Sequence, residues 1–260
     1  MRCRRKVKRQ IVGAILLLQM VLTLLVGSAP ALAAIAFDVN AEAALLMVPE
    51  TGQVLFSKNI DEKLPPASIA KIMTLLLAME AVESGRVQLD DKVRVSARAQ
   101  SMGGSQVWLE AGEVFTLEEL LRAVAIPSAN DAAVAVAEHV AGSVEAYVAA
   151  MNRRAQELGM KDTVFTNVTG LPADGDETPT MTTVRDIAKM ACELLKYPKV
   201  LEWTSTRHAI FRQTNPRTDL WNTNKLIGVY PGVDGLKTGY TQEAGFCMVA
   251  TAKQEDLRLL

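Results

Sequence analysis

Ser68 and Lys71 stand three residues apart in the run Pro65-Pro66-Ala67-Ser68-Ile69-Ala70-Lys71-Ile72-Met73-Thr74. On a helix that spacing stacks two side chains on one face, a turn apart. A serine at the positive end of a helix, with an amine in reach, is a nucleophile that needs no histidine. Alone the pair says little. Roughly one Ser-x-x-Lys arises by chance in a chain this long, and a capped amphipathic helix with a solvated lysine is the bland alternative. Two further groups change the balance. Ser128-Ala129-Asn130 follows Pro127 between two helical patterns, and Lys237-Thr238-Gly239 lies on a strand pattern introduced by glycines. Ser128 by itself could be an N-cap, and Lys237 a solvated strand lysine. Three groups in this order, the first opening a helix and the last on a strand, are far less expected by accident.

The surrounding sequence must position these groups. Pro65 and Pro66 keep the approach extended. Ser68 takes an N-cap or first-turn place, and a helix is expected over 69–82 with Ile69, Ile72, Met73, Leu76 and Met79 as its apolar stripe. Before it, 43–48 and 53–57 read as a hairpin about Pro49-Glu50-Thr51-Gly52. After it, 90–99 and 106–109 read as short strands around Gly103-Gly104. Thr116-Leu117-Glu118-Glu119 is a capping box opening a helix to about Ala125. Helices are expected over 132–142, over 143–158 and from Thr182-Thr183 to about Leu195, the last ended by Tyr197-Pro198. Extended segments follow near 208–213, 236–240 and 245–253, and from Leu257 onward. Strands, then a block of helices, then strands predict an α+β fold: an antiparallel sheet flanked by helices, with a mostly helical subdomain over roughly 85–180.

The first 34 residues read as an export leader rather than fold. Arg2, Arg4, Arg5, Lys6, Lys8 and Arg9 form a basic start, 11–26 is apolar, and Ala31-Leu32-Ala33 offers a cleavage signal. Residues 35–260 are then the working domain, outside the cytoplasmic membrane. Six of the 28 basic residues fall in the leader and all 29 acidic ones beyond it, so the remainder is net negative, near −7. That balance counts against nucleic acid or anionic lipid as a partner. Cys192 and Cys247 read as small buried apolar residues, with no CxxC partner and no metal-ligand spacing. Trp108, Trp203 and Trp221 read as core or groove wall, and His139 and His208 as structural, the latter without a partner. The chain stops inside an apparent strand, which reads as truncation.

The three groups, with 230–241 (Tyr-Pro-Gly-Val-Asp-Gly-Leu-Lys-Thr-Gly-Tyr-Thr), 126–133 (Ile-Pro-Ser-Ala-Asn-Asp-Ala-Ala), 104–109 and the early Leu-Met-Val-Pro-Glu-Thr-Gly-Gln-Val-Leu hairpin, resemble the serine-type D-Ala-D-Ala carboxypeptidases, the low-molecular-mass penicillin-binding proteins. The likeness covers nearly all of 40–260. It implies a transpeptidase/β-lactamase-like fold of two subdomains with the site between sheet and helices, no metal and no cofactor. Its implied substrate is the peptidoglycan pentapeptide, with β-lactams as acylating inhibitors and a membrane attachment through a missing C-terminal segment.

The resemblance also implies roles. Ser68 attacks the carbonyl between two D-alanines. Lys71 is its base, provided it is neutral, and Lys237 supplies a charge that keeps it so. Ser128 hydrogen-bonds Lys71 and passes a proton to the departing amine. Asn130 holds the substrate amide, Lys237 and Thr238 grip its carboxylate, and the N–H groups of Ser68 and Tyr240 form an oxyanion hole. Gly239 lets substrate backbone lie along the strand edge. Ala70 departs from the threonine common in the family, and 173–180 is longer and more acidic than expected. A class A β-lactamase would need a Glu-x-x-x-Asn within 160–182, which is lacking. A DD-endopeptidase of cross-linked peptidoglycan and a non-catalytic wall-binding module of the same fold are the remaining alternatives.

Overall fold

A computed structural model describes residues 39–172, 178–213 and 217–260; the leader and most of the 173–180 segment lie outside them. Strands β1 (Ala44–Val48) and β2 (Gln53–Lys58) form the expected antiparallel hairpin. The prolines then lead into a 3₁₀ turn, Ala67–Ala70, and helix α1, Lys71–Glu83. The helix was expected two residues earlier, with Ser68 as its cap or in its first turn. Instead Ser68 lies inside the tight turn, Ile69 N–H bonds Pro66 O at 3.1 Å, and no side chain caps α1. The expected stripe is also too narrow. Ten of the thirteen α1 residues are buried, because later helices surround it, and a helix apolar on every side belongs in a core.

Strand β3 (Lys92–Arg94), the short helix α2 (Ala97–Gln100) and β4 (Val114–Thr116) follow, β3 pairing with β4. This corrects both strand expectations. Ser96 caps a helix where 90–99 was read as one strand: its Oγ accepts Ala99 N–H at 2.9 Å. Residues 106–109 alternate like a strand yet have no partner strand; the Asp131 carboxylate accepts the N–H groups of Val107 and Leu109 instead.

The helical block is close to expectation. Helix α3 (Leu117–Ala125) opens with the full Thr116–Glu119 capping box. Helix α4 (Asn130–Ala141) ends at Gly142, and α5 (Val144–Glu157) is capped by Ser143. Helix α6 (Val184–Leu194) is capped by Thr183, and α7 (Pro198–Thr204) was not anticipated. Tyr197-Pro198 does end α6, but proline at the first helical position also starts a helix, since its missing N–H is one that needs no partner there.

Strands β5 (His208–Arg212) and β6 (Thr218–Trp221) pair as a hairpin, and β7 (Val233–Thr241), β8 (Gly245–Gln254) and β9 (Leu257–Leu259) form an antiparallel meander with β7 at its edge. Met47 and Leu260 exchange both backbone hydrogen bonds, at 2.9 and 3.0 Å, and so set β1 beside β9. The order β2-β1-β9-β8-β7 makes an antiparallel sheet against helices, the α+β arrangement expected. Residues 41–260 form one compact unit.

Some single-residue readings change. Trp203 is core, but Trp108 and Trp221 are exposed. His208 has partners: Asp219 at 2.9 Å and the Trp221 ring at 4.2 Å. His139 pairs with Asp91 at 3.1 Å. Both cysteines are free.

Candidate active site

The 3₁₀ turn presents Ser68 because it is pinned from both sides. Ala67 adopts a left-handed φ of +47°. On one side Gly170 packs so tightly that a Cβ there would lie 1.8 Å from Ala67 O. On the other, a Cβ at Gly239 would lie 2.9 Å from Ser68 N and 3.2 Å from Ile69 N. Gly239 therefore has a need beyond the substrate contact expected of it: edge strand β7 is pressed against the turn that carries the serine.

Lys71, in the first turn of α1, is wholly enclosed. Its Nζ donates to Ser68 Oγ at 2.9 Å and to Thr169 O at 2.8 Å. Burial holds its pKa well below that of a free lysine; the charge of Lys237 lowers it further and that of Asp131 opposes the shift. A neutral amine keeps a lone pair. With one N–H anchored on Thr169, that lone pair can take the Ser68 hydroxyl proton across the same short contact.

Ser128 and Asn130 form the bend between α3 and α4. Ser128 has a φ of +70°, unusual for serine and a mark of stored strain. Ser105 Oγ donates to Pro127 O at 2.6 Å, Ser105 O accepts Asn130 N–H at 2.7 Å, and Asn130 Nδ2 donates to Gly103 O at 2.7 Å. The expected bond between Ser128 and Lys71 is not made: Lys71 Nζ bonds Ser68 and Thr169, and Ser128 Oγ is left without a partner among the described residues. Among the described residues, Ser128 Oγ and Asn130 Oδ1 are the buried side-chain polar atoms without a partner in the chain. Buried polar atoms are normally satisfied, so two exceptions in one short group need a reason.

Lys237, on β7, is enclosed too, and its Nζ donates to Thr238 O at 2.8 Å. Burial alone brings its pKa down to about 7. The charge of Lys237, when present, in turn disfavours a proton on Lys71. Thr238 Oγ1 donates to Thr223 Oγ1 at 2.6 Å, and Thr223 N–H bonds Ile126 O at 3.3 Å, so Thr223 couples β7 to the end of α3. Tyr240 is exposed and packs against Phe246 with tilted rings, centroids 4.5 Å apart.

The structure thus gathers the first and third sequence groups around one turn and ties the second to them through Thr223. Sequence reasoning missed Thr169, Thr223 and the role of Asp131. Thr169 acts through its carbonyl, which no residue type signals. Asp131 did carry a signal, an acid directly after the Ser-Ala-Asn group at the start of a helix.

A family model described as D-alanyl-D-alanine carboxypeptidase matches residues 29–260. D-alanyl-D-alanine carboxypeptidase DacF of Bacillus subtilis is 49% identical over 222 residues, which is 85% of this chain and 56% of that protein. The chain thus spans little more than half the length of this curated relative. Among solved structures, the peptidoglycan synthesis regulatory factor (PBP3) of Streptococcus pneumoniae is similar with a TM-score of 0.79 at 32% identity, covering 86% of this chain and 66% of that one. Penicillin-Binding Protein D2 of Listeria monocytogenes, in its ampicillin-bound form, matches with a TM-score of 0.72 at 32% identity, covering 86% and 88%. The penicillin-binding fold expected from the sequence is borne out.

Proposed function

The chain belongs to the D-alanyl-D-alanine carboxypeptidase family, and from that premise we propose that it removes the terminal D-alanine from peptidoglycan stem peptides through an acyl-enzyme on Ser68. One observation carries this reading: the enclosed Lys71 amine lies 2.9 Å from Ser68 Oγ. Neutral Lys71 takes the hydroxyl proton as Ser68 Oγ bonds the carbonyl carbon between the two D-alanines. The C–N bond then breaks, and the departing D-alanine amine takes the proton that Lys71 accepted, relayed through Ser128, whose Oγ has no competing partner among the described residues. Water resolves the ester and frees Ser68.

Lys237 and Thr238 receive the terminal carboxylate, and the free Oδ1 of Asn130 accepts the substrate amide N–H. The close approach of β7 to Ser68 N supports an oxyanion hole built from the Ser68 and Tyr240 N–H groups. A β-lactam is held by the same groups and stops at the ester. The leader pattern supports action at the extracytoplasmic face of the membrane or in the wall; membrane attachment through a further segment is part of the same proposal.

Mass spectrometry tests this directly. Benzylpenicillin should add its mass to the parent protein and not to Ser68→Ala, and a pentapeptide wall fragment should lose one alanine. Cleavage of a cross-linked dimer without alanine release would make the protein an endopeptidase. Neither adduct nor product would leave a wall-binding module.

A further inference from the structure

We propose that Asp131 is a positioning residue for the acyl-transfer site: its enclosed carboxylate fastens residues 105–109 to the start of α4, holds Asn130 in place, and sets a negative charge within reach of Lys71. The proposal rests on the acyl-transfer reading and names a residue outside its three groups.

Asp131 has no exposed surface. Its oxygens accept the N–H of Val107 at 3.1 and 3.3 Å, of Leu109 at 3.1 Å and of Ala132 at 2.8 Å. A lone carboxylate therefore replaces the partner strand that 106–109 lacks. Asn130, its neighbour, holds the other end of the same segment through Gly103 O and Ser105 O. The two residues clamp one extended stretch, so slack at Asp131 passes to the Asn130 carboxamide and, through the Ser105–Pro127 bond, to Ser128. Val107 and Leu109 face inward as a result, and Trp108 between them, at a φ of +59°, is turned out to solvent.

The charge matters separately. Among the described residues, the charged groups bearing on Lys71 are Lys237 from β7, which disfavours its proton, and Asp131 from α4, which favours it. Asp131 thus tempers how readily the base is freed.

Asp131→Asn keeps the shape, removes the charge, and leaves a carboxamide nitrogen that cannot accept an N–H. Stopped-flow acylation by a fluorescent penicillin should slow about 10- to 100-fold. The acid limb of its pH profile should move to lower pH, because Lys71 loses the group that favoured its proton. A purely structural role would lower the melting temperature and leave the limb in place. An unmoved limb, or a rate within about twofold of the parent, overturns the proposal. Should the variant not fold, amide hydrogen exchange on the parent decides: Val107 and Leu109 N–H should be protected like helix interiors, and loop-like exchange overturns it. A parent that takes no penicillin overturns the acyl-transfer reading, whereas a labelled parent with unprotected amides overturns only this proposal.

Discussion

Lys71 and Lys237 are both enclosed amines, but they are tuned for opposite tasks. Lys71 is pushed toward the neutral form by burial and by the Lys237 charge, while Lys237 is lowered by burial alone, to about 7. In the free enzyme, acylation therefore needs Lys71 without its proton and Lys237 with one. The expected kcat/KM profile is a bell whose alkaline limb lies near pH 7, where Lys237 discharges. Lys237→Arg should move that limb up by several units, because a guanidinium stays charged; an unmoved limb would assign it to another group. Lys71→Ala should slow acylation roughly 100- to 10,000-fold, the usual worth of a positioned base, with the circular dichroism spectrum unchanged.

At the scale of elements, the site is a meeting of a tight turn, a helix bend and an edge strand, and two glycines set how close they come. Gly239→Ala places a methyl against backbone nitrogens that cannot rotate away. The resulting shift of β7 should cost on the order of 100-fold in acylation, measured on a protein whose helix content is intact. Gly170→Ala is worse for stability: a methyl 1.8 Å from Ala67 O, at a φ of +75°, must displace the chain. A loss of more than about 3 kcal/mol is expected from denaturant midpoints. Much of this layout was readable beforehand because its signals are local. The Ser68–Lys71 spacing, the Thr116–Glu119 box, Gly142 and the β7 glycines each encode their own geometry. What escaped depends on partners far along the chain. Gln106-Val107-Trp108-Leu109 alternates as a strand does, and nothing in those four residues tells that a carboxylate would replace a neighbouring strand. Pro198 was legible as a terminator and not as the first residue of α7, since both uses obey the same steric rule. The bare Ser128 hydroxyl was unforeseeable, since no local pattern tells which buried side chain goes without a partner.

For the whole molecule, an enclosed cation with no carboxylate partner among the described residues is a cost to folding that varies with pH. Unfolded, Lys237 titrates near 10.5; folded, near 7. Between these values the unfolded chain binds more protons, so stability rises with pH across that window and is flat in this respect below it. Relative to Lys237→Met, the parent should gain about 2 kcal/mol from pH 7 to 9, followed by chemical denaturation at each pH. Parallel curves would show that Lys237 keeps an ordinary proton affinity in the fold.

The hydrogen bond from Lys71 to Thr169 O spans 98 residues of sequence, and it has a bearing on how the protein comes to life. Helix α1 can wind early from neighbouring residues, but its lysine is not yet a base until a distant loop has been delivered to receive one of its hydrogens. Non-local closures of this kind are the slow ones. During refolding from denaturant, helical ellipticity should therefore recover ahead of the capacity to capture penicillin, and the interval between the two traces would time the arrival of that loop.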